Sequence, residues 1–211
     1  MALFVLLPAA FYYSVPASEP YGLVAGSMGV SWAVSAAGMF GVLGWRRAEP
    51  RLALTGATVL PALAGRLVLL TGLALVLVAG FAPQIVWRSR DLIAEPGTFV
   101  VGLALMALVS VPIGLTIGAL VPRELEGTLV LIGVVGIGTS VPPDTALARV
   151  LPLWGPLEVM QVGADLSDGT AAQGAWHTLV VIVVLLSIAT ASLRRRTRVV
   201  GSHPVPNQEA P

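Results

Sequence analysis

Few residues in this chain have the types and spacing that could do chemistry. Ser140 closes the run Gly136-Ile137-Gly138-Thr139-Ser140, and with His177 as a base it would make an intramembrane serine nucleophile. Glycine and serine near helix ends more often serve packing, so this reading stands last. The loop Asp165-Leu166-Ser167-Asp168-Gly169 resembles part of a calcium loop but lacks the further acidic ligands, and a solvated turn is expected. The cluster Arg194-Arg195-Arg196-Thr197-Arg198 would suggest nucleic acid in a soluble protein. Directly after an apolar run it reads instead as a stop-transfer and phospholipid-contact cluster. There is no Lys and no Cys, and His177 and His203 are the only histidines. That excludes a Walker or Schiff-base lysine, a thiolate nucleophile, a disulfide and a histidine-rich metal centre. No catalytic residue, cofactor or metal is assigned, and no nucleic-acid partner is expected.

The elements that must position whatever remains are apolar helices. Of 211 residues, 56% are hydrophobic and only 11% charged, with a mean hydropathy of +0.88. A soluble domain carries about a quarter charged residues, so this chain cannot coat a water-facing surface. Charge-free runs cover 1–14, 22–44, 67–87, 98–121, 127–141 and 175–193. A bilayer core of about 30 Å needs roughly 20 residues of helix. Four runs meet that length; the short first run reads as a span whose beginning is missing, and the short fifth must tilt, thin the bilayer or lean on neighbours. The expected fold is therefore all-α: a polytopic membrane protein of about six transmembrane helices.

Arginine is retained on the cytoplasmic side. Six spans starting inside place nine of the 12 arginines in 45–66, 122–126 and the segment after 193. Both termini are then cytoplasmic and the cell membrane is the expected location. Nine arginines against Glu49, Glu124, Glu126 and Glu209 make that face +5. Arg88, Arg90 and Arg149 against seven acidic residues make the outer face −4, and the whole-chain +1 is the sum of the two. Tyr12, Tyr13, Tyr21, Trp87 and Trp176 fall at outer boundaries and Trp45 at an inner one, as interfacial anchors do.

Gly22, Gly26, Gly29, Ala33, Ala37, Gly41 and Gly44 recur at steps of three or four, and Gly114 and Gly118 repeat the pattern in the fourth run. Such stripes let helices approach closely. Pro112 should kink the fourth run. None of the five later spans carries Asp, Glu, Arg or Lys in its interior, which removes the relays of a proton-coupled carrier. Energy for active transport would come from a partner, with sodium coupling through the backbone carbonyls of broken helices as the alternative.

The loop 45–66 contains Glu49, Pro50, Arg51, Leu52, Gly56, Pro61, Gly65 and Arg66. Pro50 suits a first helical turn, with Glu49 favourable at its positive end. Leu52, Ala53, Gly56 and Val59 or Leu60 then share a face, and Pro61 and Gly65 end the piece before the third span. From spacing alone, a short amphipathic helix docked on a soluble partner and an ordinary interfacial connection are equal readings. This loop, with its Gly65-Arg66 entry to a span, resembles the membrane subunits of ATP-binding-cassette type-2 exporters. The segment Pro112-Ile113-Gly114 through Pro122-Arg123-Glu124-Leu125-Glu126-Gly127 resembles that family's fourth span and its short charged turn. Leu151-Pro152-Leu153-Trp154-Gly155-Pro156 resembles its outer Leu-Pro segment. The likeness runs from about residue 22 to 198.

The resemblance implies that Glu49–Gly65 forms a cytoplasmic coupling helix against a separate ATPase subunit, with Arg123, Glu124 and Glu126 as a second contact. It implies partly re-entrant outer helices in 142–174 and a second permease subunit, identical or not. Residues 1–198 would be one transmembrane permease domain and 199–211 a disordered cytoplasmic tail. Family members begin with a basic amphipathic helix before a complete first span, whereas Met1–Pro8 looks like the later part of that span, so a start assigned too late is expected. The implied function is export of a hydrophobic or amphipathic substrate, with membrane lipid as surroundings and no enzymatic activity in this chain. A haem-exporter-type permease and a non-transporting structural or regulatory membrane protein are the rivals.

Overall fold

The computed structural model describes residues 2–16, 20–46, 59–142 and 144–200. These form α1 (Ala2–Tyr13), α2 (Pro20–Arg46), α3 (Val59–Arg88), α4 (Pro96–Leu120), α5 (Glu124–Ser140), a 3-10 turn (Ala148–Val150), α6 (Trp154–Gly163) and α7 (Ala171–Val200). No strand occurs among the described residues. The segments Tyr21–Trp45, Pro61–Arg88, Pro96–Leu120 and Ala171–Arg195 are long and apolar enough to cross a membrane, which fits a multi-pass membrane protein. Helices α1 and α5 are present where short runs were expected, but with 12 and 17 residues they fall below the roughly 20 residues a span needs.

Helix α4 is the axis. It is apolar all round, and sixteen of its 25 residues are buried, as expected of a helix packed on every side. Pro112 sits within this helix, which continues without a break to Leu120. Helices α2 and α4 run parallel: Ser31 and Ser35 meet Ser110, and further along Met39 meets Gly118. Helix α1 and the end of α3 cover one side of α2, while α5 covers another. Helix α7 joins the far side of α4 through Thr116 Oγ1, which donates to Leu185 O at 3.0 Å, and Ser192 Oγ, which donates to Ala119 O at 3.3 Å. The helix ends at Tyr13, Pro20, Arg88, Pro96, Ser140 and Ala171 therefore lie together, opposite Arg46, Val59, Leu120 and Glu124.

Two apolar helices in lipid gain nothing from leaving the lipid, so contact must come from close packing and polar pairs. Along α2 and α4 both are present. Ser110 Oγ lies 2.7 Å from Ser31 Oγ and 2.6 Å from Met106 O, and Ser35 Oγ donates to Ser110 O at 3.0 Å. A hydroxyl has one proton. Because the Met106 carbonyl can only accept, Ser110 donates to it and accepts from Ser31. All three serines are fully buried. We expect Ser110→Ala to lower stability by about 1 kcal/mol, the usual size of such interhelical bonds. Ser187→Ala should change nothing measurable, because that exposed hydroxyl bonds only its own helix at Val183 O. The midpoint of denaturing-detergent unfolding in mixed micelles reads both.

The expectation that Pro61 and Gly65 end a separate piece ahead of the third span is corrected. Both lie in the opening turns of α3, which begins at Val59. A proline this early loses no hydrogen bond, since the first four helical N–H groups have no partner within the helix. At the other terminus, α7 carries the cluster Arg194–Arg198 on as helix to Val200, and 201–211 lies outside the described residues.

Candidate functional site

Helix α5 has two faces. Gly127, Leu131, Val135 and Gly138 are buried; Gly127 sits against Met39 of α2 and Gly138 against Leu153, just before α6. One step round the helix, Val130, Gly133, Val134 and Ile137 face a cavity of about 470 Å³. Ile113, Thr116 and Ile117 of α4 form its second wall, Leu185 of α7 its third, and Leu151-Pro152 closes one end. The cavity exists because α5 packs on α2 and touches α4 only lightly. Its single polar lining residue, Thr116, already spends its proton on Leu185 O. No charge and no free donor face it, so the space suits hydrocarbon and not an ion. A Cβ at Gly133 would meet nothing within 4 Å.

A second cavity of about 370 Å³ lies at the end marked by Tyr21 and Phe99. Thr139, Ser140, Gln161 and Leu166 line it, and Gln161 Oε1 is buried without a partner. Ser140 borders this cavity, whereas His177 Nε2 lies 3.0 Å from Arg149 O and its ring meets Trp154 edge to face at 5.0 Å. Because a carbonyl only accepts, Nε2 carries the proton and Nδ1 is left without a partner. No hydrogen bond joins Ser140 and His177 among the described residues.

The segment 144–170 is stapled by features the sequence reading missed. In α6, Gly155 and Gly174 of α7 face each other's carbonyls, Gly102 of α4 faces Met160, and Gly163 faces Phe99. Buried Glu158 accepts from Ser167 Oγ at 2.6 Å, and Gly169 N donates to that hydroxyl at 3.1 Å. Helix α6 ends in a Schellman arrangement: Leu166 N donates to Gln161 O and Asp165 N to Val162 O, with Asp165 at φ 56°. The residues of the supposed calcium loop thus serve a helix terminus and a loop tie. Among the described residues no group of three His, Asp or Glu could hold a metal.

Of the glycines singled out for packing, Gly22 lies against Pro16, Gly26 against Tyr12 and Ile85, and Gly29 against Pro8. Gly114 and Gly118 meet the α2 backbone at Ser35 and Met39. Gly41 and Gly44 are exposed, with nothing near a prospective Cβ. The reason is reach. With Pro8 opposite Gly29, the described start of α1 falls roughly six residues further along α2, short of Gly41.

Arg66 stacks over the Trp45 ring at 4.4 Å, and Gly65 beside it is open. Glu49, Pro50, Arg51, Leu52 and Gly56 lie outside the described residues. Arg123, Glu124 and Glu126 stand exposed at the same end as Trp45, Arg123 Nη1 donating to Glu126 Oε1 at 3.0 Å. At the opposite end Trp87, Trp176, Tyr13 and Tyr21 are exposed, while Tyr12 is buried. Comparison with protein-family models, with curated proteins and with solved structures finds no match to this chain.

Proposed function

We propose that this chain is the membrane-spanning permease subunit of an ATP-binding-cassette exporter of the type-2 kind. It moves a hydrophobic or amphipathic substrate, such as a lipid, a drug or a lipid-linked glycan, using ATP hydrolysed in a separate subunit. The observation that supports this reading best is the uncharged cavity between α4, α5 and α7, closed at one end by Leu151-Pro152. A cavity of that size and lining accepts acyl or ring systems and offers an ion nothing. In this reading α1 and α5 complete six spans, α6 and the 3-10 turn form the partly re-entrant outer cap, and a second permease subunit, identical or not, completes the pathway. The end bearing Trp45, Arg66 and Arg123 is cytoplasmic, in a plasma membrane, because arginine outnumbers acidic residues there. In this reading the motor docks on the segment from Glu49 up to the start of α3 at Val59, as a coupling helix, and on the turn at Arg123–Glu126.

The test is reconstitution with a Walker-motif ATPase encoded alongside this chain. Co-purification and substrate-stimulated ATP hydrolysis are expected, and both should vanish when Glu49 and Arg51 are charge-reversed and a Gly pair is inserted between them and Pro61. Full retention of the ATPase and of stimulated hydrolysis after those changes would overturn the docking assignment. Charge reversal at Glu126 alone should have a small effect, because an exposed pair such as Arg123–Glu126 is worth about 0–1 kcal/mol.

A further inference from the structure

We propose that Arg88 forms the centre of a phosphate-binding site for a membrane phospholipid headgroup. The inference is independent of the transport reading. Arg88 lies in the last turn of α3, at the end of the apolar segment Pro61–Arg88. Its guanidinium carbon sits 5.1 Å from the centre of the Tyr12 ring and 4.9 Å from that of Tyr13. The rings meet edge to face at 5.3 Å. Both are tied to α3 one turn earlier: Tyr12 Oη donates to Gln84 O at 3.3 Å and Tyr13 Oη to Gln84 Oε1 at 3.2 Å. The guanidinium is therefore held in place before any ligand arrives.

That holding leaves donors unmet. Arg88 Nη1 is buried and has no hydrogen-bond partner, and neither has Oγ of the adjoining Ser89, which is only 3% exposed. No carboxylate pairs with Arg88 among the described residues; the neighbouring acid, Asp91, lies 3.8 Å from Arg90 instead. Cation–π contact steadies the charge but supplies no acceptor, and a buried donor without one is costly. A phosphate oxyanion supplies acceptors that a planar guanidinium matches in pairs, with room for a neighbouring hydroxyl. The site also lies at the right depth. Trp87 is 78% exposed and Tyr13 59%, as aromatic side chains are at the headgroup level, where the phosphodiesters of phospholipids lie.

The test follows the unfolding midpoint of detergent-purified protein titrated with short-chain phosphatidylglycerol, the matching uncharged diacylglycerol, or inorganic phosphate. Phosphatidylglycerol should stabilise and diacylglycerol should not. If inorganic phosphate has no effect, the ligand is the lipid headgroup as proposed; stabilisation equal to that by phosphatidylglycerol would overturn the lipid source and leave a site for free phosphate. Arg88→Gln should weaken phosphatidylglycerol about tenfold, the loss expected for a charge-assisted bond. Arg88→Lys should fall between, because it keeps the charge and loses the fork. Arg90→Gln should behave as wild type. Should Arg88→Gln not fold, Arg88→Lys and Ser89→Ala decide the matter, the latter with an expected loss of about threefold. Unchanged binding in both, stabilisation by diacylglycerol, or an equal loss in Arg90→Gln would overturn the site.

Discussion

Gly114→Leu is expected to prevent assembly of the helical bundle, costing about 3 kcal/mol or more, at the upper end for overpacking. A Cβ at this position would stand 2.8 Å from the carbonyl carbon and 2.9 Å from the Cα of Ser35, and closer still to the carbonyl oxygen. These are backbone atoms of α2, so no rotamer change relieves the overlap. The helices must move apart, and the Ser31–Ser110 and Ser35–Ser110 bonds go with them. Gly118→Ala should show a smaller loss of the same kind, since its Cβ would meet Met39 O at 2.8 Å. Gly41→Leu is the control. Its Cβ would meet nothing within 4 Å, and its midpoint should stay within about 0.5 kcal/mol of wild type. A wild-type midpoint for Gly114→Leu in mixed micelles would refute the α2–α4 contact.

Under the proposed export function, Gly133→Phe is expected to have the second large effect, on transport and not on folding. Gly133 stands on the free face of α5, and its new ring would project into the cavity of about 470 Å³ against Ile113, Thr116 and Leu185. Replacing a helix-interior glycine with Phe gains roughly a few tenths of a kcal/mol of helix propensity, so the unfolding midpoint should hold or rise slightly. If substrate passes through this cavity, transport in proteoliposomes with the ATPase should fall about tenfold or more, equivalent to about 1.4 kcal/mol. Undiminished transport with the fold intact would remove the cavity from the pathway. Loss of both transport and stability would instead mean that α5 rests more closely on α4 than the cavity implies.

The long helices were legible because length and lack of charge suffice to specify them: 22–44, 67–87 and 175–193 each fall inside one helix, and 98–121 overruns α4 by a single residue. The stripe Gly22, Gly26, Gly29 was legible too, as small residues on one face. The neighbouring stripe Ser27, Ser31, Ser35, Gly38 was just as visible in the letters and was passed over. A serine four residues from another counts as ordinary in any helix until its partner, here Ser110 four residues before Gly114, is known to lie opposite. Glu158 was passed over for the same reason: the sequence marks it as charged, and only Ser167 and the fold of 164–170 account for its burial.

The cavity had no signature at all. Val130, Gly133, Val134 and Ile137 read like any lipid-facing helix surface. They line a space only because α5 packs on α2, with Gly127 against Met39, and leaves α4 uncovered beside them. The Arg88 site is similar, since Arg88 lies more than 70 residues beyond the Tyr12-Tyr13 pair and meets it only where α1 and α3 end together.

The sequence by itself determined an all-helical architecture in which four apolar runs are long enough to cross a membrane, though it reads as about six spans. It also set arginine apart from the acidic residues along the chain. Backbone groups in hydrocarbon must bond within their own helix, and length and charge are local properties. Tertiary structure alone decided which small residues touch, which polar atoms find partners and where space remains. In lipid, apolar side chains look alike from outside or inside the bundle, so composition cannot say which face meets a neighbour; close backbone contact at Gly114 and paired hydroxyls at Ser110 do.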